Sequence, residues 1–149
     1  MTISTGVAHG AREDESGRAL CFLCEEAGLD VVQELVSDDR DAIAALLMRL
    51  ADEEDVRFIF TTGGTGLTPD DVTPEATRDV IDREAPGFAE TIRAEALQHT
   101  PLGILTRGVS GVRGRTLIVN FPGSPRAVRQ SWGIVEPTLK HAAETLERP

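Results

Sequence analysis

The chain has 149 residues, 40% of them apolar, and a formal net charge of −10. That is the length of one domain, enough for a proper core, and the charge argues against wholesale binding to nucleic acid or an anionic membrane while leaving room for a locally positive anion site. No apolar run approaches the ~20 residues of a membrane span, and Met1-Thr2-Ile3-Ser4-Thr5 has neither the basic region nor the apolar core of a signal peptide, so a cytoplasmic protein is expected.

Residues 2–5 read as a short first strand and residues 6–15 as a polar loop. Asp14-Glu15-Ser16-Gly17 leads into a first helix that Gly28 stops at its C-terminal side. In that helix Leu20, Leu23, Cys24 and Ala27 trace one face. Cys21 and Cys24 form a C-x-x-C pair with no second pair to complete a zinc site, so they read as buried small hydrophobes. His9, His99 and His141 do not cluster, and no nucleophile stands beside them.

Residues 29–36 are expected to form a second strand. Ser37-Asp38-Asp39 then caps a second helix whose apolar face is Ile43, Leu46, Leu47 and Leu50. Residues 57–62 form a third, buried strand ending in Phe58-Ile59-Phe60-Thr61-Thr62. The alternation β-α-β-α-β argues for a parallel sheet with helices on both faces.

The third strand runs into Gly63, Gly64 and Gly66, which can take φ > 0 and let a ligand approach the backbone. The acidic turn Pro69-Asp70-Asp71 follows. Thr73-Pro74-Glu75 opens a third helix over 73–84, with Thr73 as N-cap and Pro74 at the first helical position. A glycine loop, an acid pair and a helix N-terminus suit a phosphate with a metal ion. A turn whose glycines serve geometry alone would use the same residues. No Lys-Ser or Lys-Thr pair follows, so this is not a P-loop, nor is the spacing G-x-G-x-x-G.

Pro86-Gly87 starts a further helix to about His99, with Phe88, Ile92 and Ala96 on one side. Residues 102–109 and 115–121 are expected as two strands joined by Ser110-Gly111-Val112-Arg113-Gly114, giving one antiparallel hairpin in the sheet. Pro122-Gly123-Ser124-Pro125 begins the C-terminal helix, with Ser124 as N-cap and Pro125 first inside it. Trp132-Gly133 and Pro137 are candidate breaks. The expected architecture is a three-layer α/β/α sandwich, mostly parallel, formed by residues 1–149 as one domain.

Two glycine-bearing turns thus stand at the carboxyl ends of strands, where open α/β sheets bind ligands. Arg126 lies just inside the helix after the second. Asp38, also just after a strand, is either a plain N-cap or a second acid facing the cleft of Asp71. Two carboxylates at one anion site call for a cation between them.

Taken together, T-T-G-G-T-G, Asp71-Val72-Thr73-Pro74-Glu75-Ala76-Thr77, Pro86-Gly87-Phe88, Arg93, Ile104-Leu105-Thr106-Arg107 and Asn120-Phe121-Pro122-Gly123-Ser124-Pro125 resemble the MoaB/Mog family of molybdenum-cofactor biosynthesis. The likeness extends in order along nearly the whole chain. It implies binding of molybdopterin and adenylylation of its terminal phosphate with Mg²⁺ and ATP. Asp38 and Asp71 match the family's two essential acids and imply the catalytic, metal-holding pair. Thr62, Gly63, Gly64, Thr65 and Gly66, with Pro122, Gly123, Ser124, Pro125 and Arg126, are implied to bind substrate phosphates. Thr5 stands where the family usually carries an aspartate, and Ser37 where it usually has proline. The resemblance further implies a homotrimer or hexamer, and other proteins of the same biosynthesis as partners. Two other readings are a molybdopterin carrier without turnover and a nucleotide-processing domain like that of competence/damage-inducible proteins.

Overall fold

The structure is a computed structural model and describes residues 1–148. Strands β1 (Thr2–Ile3), β2 (Leu35–Val36), β3 (Phe58–Thr62), β4 (Arg83–Glu84), β5 (Ser110–Arg113) and β6 (Thr116–Phe121) form one sheet in the order β2-β1-β3-β6-β5-β4. β1, β2, β3 and β6 pair in parallel, while β5 runs antiparallel to both β4 and β6. This is the expected mostly parallel sheet with one reversed strand.

Alternation along the two central strands sets the layers. Phe60 of β3 and Leu117, Val119 and Phe121 of β6 pack on one face. They meet α2 (Glu15–Glu26), α5 (Pro86–His99), α6 (Pro125–Val135) and α7 (Leu139–Leu146). Ile59 and Ile118 point the other way, against α3 (Arg40–Asp52) and α4 (Thr73–Val80). Trp132 stands edge-on to Phe60, with ring centroids 5.5 Å apart. Each fully buried large apolar side chain contributes about 1.5–3 kcal/mol of transfer free energy, so the paired faces of β3 and β6 hold the frame.

Several boundaries differ from expectation. Only Leu35–Val36 of the expected second strand pairs with β1. A short helix, α1 (Thr5–Ala8), replaces part of the expected polar loop, with Ser4 as its side-chain cap. The third helix stops at Val80, because Asp82 and Arg83 join the β5 edge instead. The expected strand over 102–109 is instead a 3₁₀ helix, Pro101–Leu105, followed by extended residues. Pro101 fits its first position and Thr100 caps it, a start that suits helix rather than strand. The expected hairpin link is itself β5, and the tight turn is at Gly114, φ +52°. In α2, Leu20 and Cys24 are buried, while Ala27, at the C-cap just beyond it, is exposed. Gly133 lies inside α6, and the break comes at the Pro137 turn, Glu136–Thr138.

No helix among the described residues is long and apolar enough to cross a membrane. The parallel strands end together, and the loops that follow them build the site.

Candidate active site

The loop after β3 is held by its carbonyl groups. The Thr73 hydroxyl donates to the Gly63 carbonyl at 2.9 Å, and the Thr73 N–H donates to the Gly64 carbonyl at 3.1 Å. The Arg107 N–H donates to the Thr65 carbonyl at 2.8 Å, and Arg107 Nε donates to the Gly66 carbonyl at 2.7 Å. Four successive carbonyls are therefore turned into the protein. Among the described residues, the N–H groups of Gly63, Gly64 and Thr65 meet no protein acceptor. Successive free N–H groups of this kind can bind an anion.

Glycine is required here by close approach. Gly63 has φ +101°, and a methyl group on it would lie 2.2 Å from the Ile3 carbonyl oxygen. Gly64 has φ +62°, and a methyl group on it would lie 2.3 Å from Thr73 Oγ1. Thr73 is fully buried and is the first residue of α4, with Val72 at the cap position. This corrects the expectation that Thr73 is an N-cap: its hydroxyl is needed by the loop.

The second glycine turn meets the first. Thr62 Oγ1 donates to the Pro122 carbonyl at 2.8 Å, and a methyl group on Gly123 would lie 3.3 Å from the Gly63 Cα. Ser124 caps α6, accepting from the Ala127 N–H at 3.1 Å, with Pro125 first in the helix. Ser124's hydroxyl is thereby occupied, so its contribution to an anion is its backbone and the helix end. Arg126 is exposed in the first turn of α6 and makes no ion pair among the described residues.

Both predicted acids reach this loop. Asp38 Oδ1 lies 3.4 Å from the position a Cβ would take at Gly64. Asp71 Oδ2 lies 2.8 Å from the equivalent position at Gly66. Asp39, not Ser37 or Asp38, caps α3 by accepting from the Ala42 N–H at 2.8 Å, which leaves Asp38 free of that duty. Asp38 Oδ2 instead accepts from the Thr5 N–H at 2.7 Å. Asp71 Oδ2 accepts from both the N–H and the hydroxyl of Thr68, at 2.8 and 2.7 Å. Burial works to raise the Asp71 pKa. Hydrogen bonds from Thr68 and Gly66 and the nearby Arg107 charge outweigh it and hold the carboxyl below its usual range.

Among the described residues no group of three or more His, Cys, Asp or Glu is placed to hold a metal ion by itself. A hard oxygen donor set of two carboxylates, completed by phosphate oxygens and water, is how Mg²⁺ is commonly held.

Arg107 is a site residue that sequence reasoning did not single out. Besides its two bonds to the loop, Nη2 donates to the Asp71 carbonyl at 2.5 Å and Nη1 to Glu75 Oε1 at 2.5 Å. One guanidinium thus ties the glycine loop, the acidic turn and α4 together. Its partners lie 32 to 41 residues away in sequence, so no local pattern announces the contact. The only signal was its place in the Thr106-Arg107 motif. Cys21 and Cys24 are free thiols; Cys24 is buried as expected, but Cys21 is only partly buried and its thiol donates to Glu25 Oε1 at 3.6 Å.

The chain was also compared with known proteins. The model of the family described as "Probable molybdopterin binding domain" matches residues 1–141. The molybdopterin adenylyltransferase of Escherichia coli K12 is 42% identical over 134 residues, covering 88% of this chain and 69% of its own. The Drosophila melanogaster molybdenum cofactor synthesis protein cinnamon is 38% identical over 148 residues, which cover 98% of this chain but 25% of that protein. The crystal structure of the molybdopterin biosynthesis enzyme MoaB of Thermus thermophilus superposes with a TM-score of 0.91 at 45% identity, covering 97% of this chain and 92% of that one. The chain belongs to the molybdopterin-binding domain family, whose model spans almost all of it.

Proposed function

We propose that the protein binds molybdopterin and transfers an adenylyl group from ATP to its terminal phosphate, releasing pyrophosphate. The observation that carries this reading is the row of free N–H groups at Gly63, Gly64 and Thr65, with Asp38, from the segment after β2, 3.4 Å from the Gly64 Cβ position and Asp71 2.8 Å from that of Gly66. Anion donors beside a carboxylate pair suit two phosphates joined through a cation. The kinship with proteins named molybdopterin adenylyltransferase supports the choice of substrates.

In this reading an oxygen of the molybdopterin phosphate attacks the α-phosphorus of ATP. A new P–O–P link forms, the bond to the β-phosphate oxygen breaks, and pyrophosphate leaves. Asp38 and Asp71 would hold Mg²⁺, which neutralises phosphate charge. The loop N–H groups of Gly63, Gly64 and Thr65, the α6 N-terminus at Ser124 and the Arg126 side chain orient the phosphates, while Gly66 gives its N–H to Asp71. Thr62 and Pro122 to Pro125 hold the second turn against the first. Such positioning and electrostatic terms dominate phosphoryl-type transfer. The cytoplasm expected from the sequence supplies the ATP.

The assembly that fits is a homotrimer or a ring built from trimers. Leu67, Leu102 and Ile104 are 65%, 67% and 70% exposed, and Leu97 and Leu105 are exposed beside them. Exposed apolar side chains on two elements in contact, α5 and the 3₁₀ helix, mark an interaction face. Ile104→Asp should lower the oligomeric mass measured by light scattering.

The deciding experiment incubates the protein with molybdopterin, Mg²⁺ and ATP and follows adenylyl-molybdopterin and pyrophosphate. Turnover should fall by several powers of ten in Asp38→Ala and Asp71→Ala, at ~1.4 kcal/mol per power, with molybdopterin still bound. Tight molybdopterin binding without turnover by the parent would replace this reading with that of a carrier. Thr5, in place of the family's usual acid, is the residue that favours the carrier.

A further inference from the structure

A cavity of about 390 Å³ opens beside Arg107. It is lined by Arg78, Arg93 and Arg107, with Glu84 as the one carboxylate. This is an unusual concentration of positive charge in a chain of net charge −10. The three arginines come from separate elements: the last turn of α4, the middle of α5, and the segment before β5. The first turn of α5 borders the cavity through Pro86 and Ala89, adding the positive end of a helix dipole.

The state of each guanidinium distinguishes the cavity from an ion-pair network. Arg107 is paired with Glu75 and spends its donors on the loop. Arg93 gives Nη1 to the Gly108 carbonyl at 2.8 Å and forms no ion pair among the described residues. Arg78 likewise forms none, although Glu75 lies near enough to feel its charge. The cavity therefore holds two arginines with donors to spare. A planar fork of N–H groups matches phosphate oxygens in pairs.

The cavity neighbours the site already described through Arg107. Thr106 and Arg107 line it, and the Arg107 N–H holds the Thr65 carbonyl. We infer that this cavity is a polyphosphate subsite, in which Arg78 and Arg93 bind the β- and γ-phosphates of ATP and then the released pyrophosphate. The identity of the polyphosphate rests on the adenylylation reading above. Glu84 opposes the anion and sets a limit on affinity, so the product can leave.

The test is calorimetric titration of sodium pyrophosphate, and separately of AMP, into the parent protein and into Arg78→Gln, Arg93→Gln and Arg93→Lys. AMP lacks the β- and γ-phosphates. Pyrophosphate should bind roughly tenfold or more weakly to each Gln variant, with Arg93→Lys between them and the parent and AMP affinity unchanged. Arg78 is exposed on α4, so its Gln variant keeps the fold, and thermal unfolding checks Arg93→Gln for loss of the Gly108 bond. Equal pyrophosphate affinity in the parent and Arg78→Gln, Arg93→Gln overturns the inference. So does an equal loss of AMP and pyrophosphate binding. Arginine-dependent pyrophosphate binding in a protein that never turns over ATP supports the subsite while refuting adenylylation. Turnover without arginine-dependent pyrophosphate binding refutes the subsite alone.

Discussion

Thr5 and Asp38 hold each other by two reciprocal hydrogen bonds: the Thr5 N–H donates to Asp38 Oδ2 at 2.7 Å, and the Asp38 N–H donates to Thr5 Oγ1 at 3.0 Å. The first bond aims the carboxylate and the second fixes its backbone. Thr5→Val removes the hydroxyl acceptor and keeps the side-chain shape. Its kcat/KM for Mg-ATP should fall roughly five- to tenfold, about 1 kcal/mol. Its Mg²⁺ requirement should rise, and Thr5→Ser should behave as the parent. A Mg²⁺ titration that is the same for Thr5→Val and the parent would show that Thr5 does not position Asp38.

Arg107 serves geometry as well as charge, and Arg107→Lys separates the two. Lysine keeps the positive charge beside Glu75 but cannot reach the Gly66 and Asp71 carbonyls together. Stability should drop by about 1–2 kcal/mol, at the low end for charge-assisted bonds because the group is partly exposed. The KM for ATP should rise as the loop loosens. Urea unfolding and steady-state kinetics on the same variant check both, and an unchanged KM contradicts the clamp.

Two glycines with positive φ should respond differently to alanine. At Gly10, φ +71°, an added methyl group meets nothing within 4 Å, so the cost is backbone strain of about 1 kcal/mol. At Gly63 the same strain is joined by the collision with the Ile3 carbonyl oxygen, and the loss should exceed about 3 kcal/mol. Denaturant midpoints of the two variants give the comparison. Similar midpoints would mean that the loop does not need its tight contact with β1.

Acid should weaken the site before it weakens the core. A hydrogen bond from Arg107 holds the Glu75 carboxyl below its usual range, and Asp71 is also held low. For a depressed carboxylate the stabilisation is present above the unfolded value, near pH 4, and is lost as pH falls through the lower folded value. Glu75→Gln should therefore flatten the decline in stability below about pH 4. Parallel acid limbs for the parent and Glu75→Gln would remove the ion pair from the explanation.

At the other end of the scale, burial pushes the Cys24 thiol up to about 11. A raised thiol means that the folded state keeps its proton longer than the unfolded chain does. The resulting stability is present below the unfolded value, near pH 8.5, and is lost as pH rises through the folded value. Cys24→Ala should make stability less sensitive to pH between about 8.5 and 11. Unfolding at several alkaline pH values in reductant tests this, and an unaltered alkaline limb counts against it.

The strands and glycine turns were legible because their signals are local. Phe58 to Thr62 is apolar and β-branched in one run, and Ser124-Pro125 is a helix start whose cap is two residues long. The boundaries that shifted lie where local preference and packing compete. Leu102, Gly103 and Ile104 read as strand from their apolar character, yet Pro101 and Thr100 favour a helical start. Gly103 packs against Ala96, where an added methyl group would lie 2.8 Å away, and the exposed Leu102 and Ile104 remain for another surface. Thr73 looked like a cap because caps are threonines before prolines, but the nearby glycine loop had the stronger need for its hydroxyl.

By itself the sequence determined the mostly parallel character of the sheet, the strands β3 and β6 and the two glycine turns, because face alternation, turn chemistry and capping act between near neighbours. Only the tertiary structure decided that the Gly63–Gly66 carbonyls are consumed by Thr73 and Arg107, leaving the N–H groups of Gly63 to Thr65 free. It alone decided that Asp38 is released from capping and tied to Thr5. The reason is distance along the chain: Arg107 and the Asp71 carbonyl are 36 residues apart, and Thr5 and Asp38 are 33 apart. Bonds of that span form only once β1, β3 and β6 have set the loops side by side.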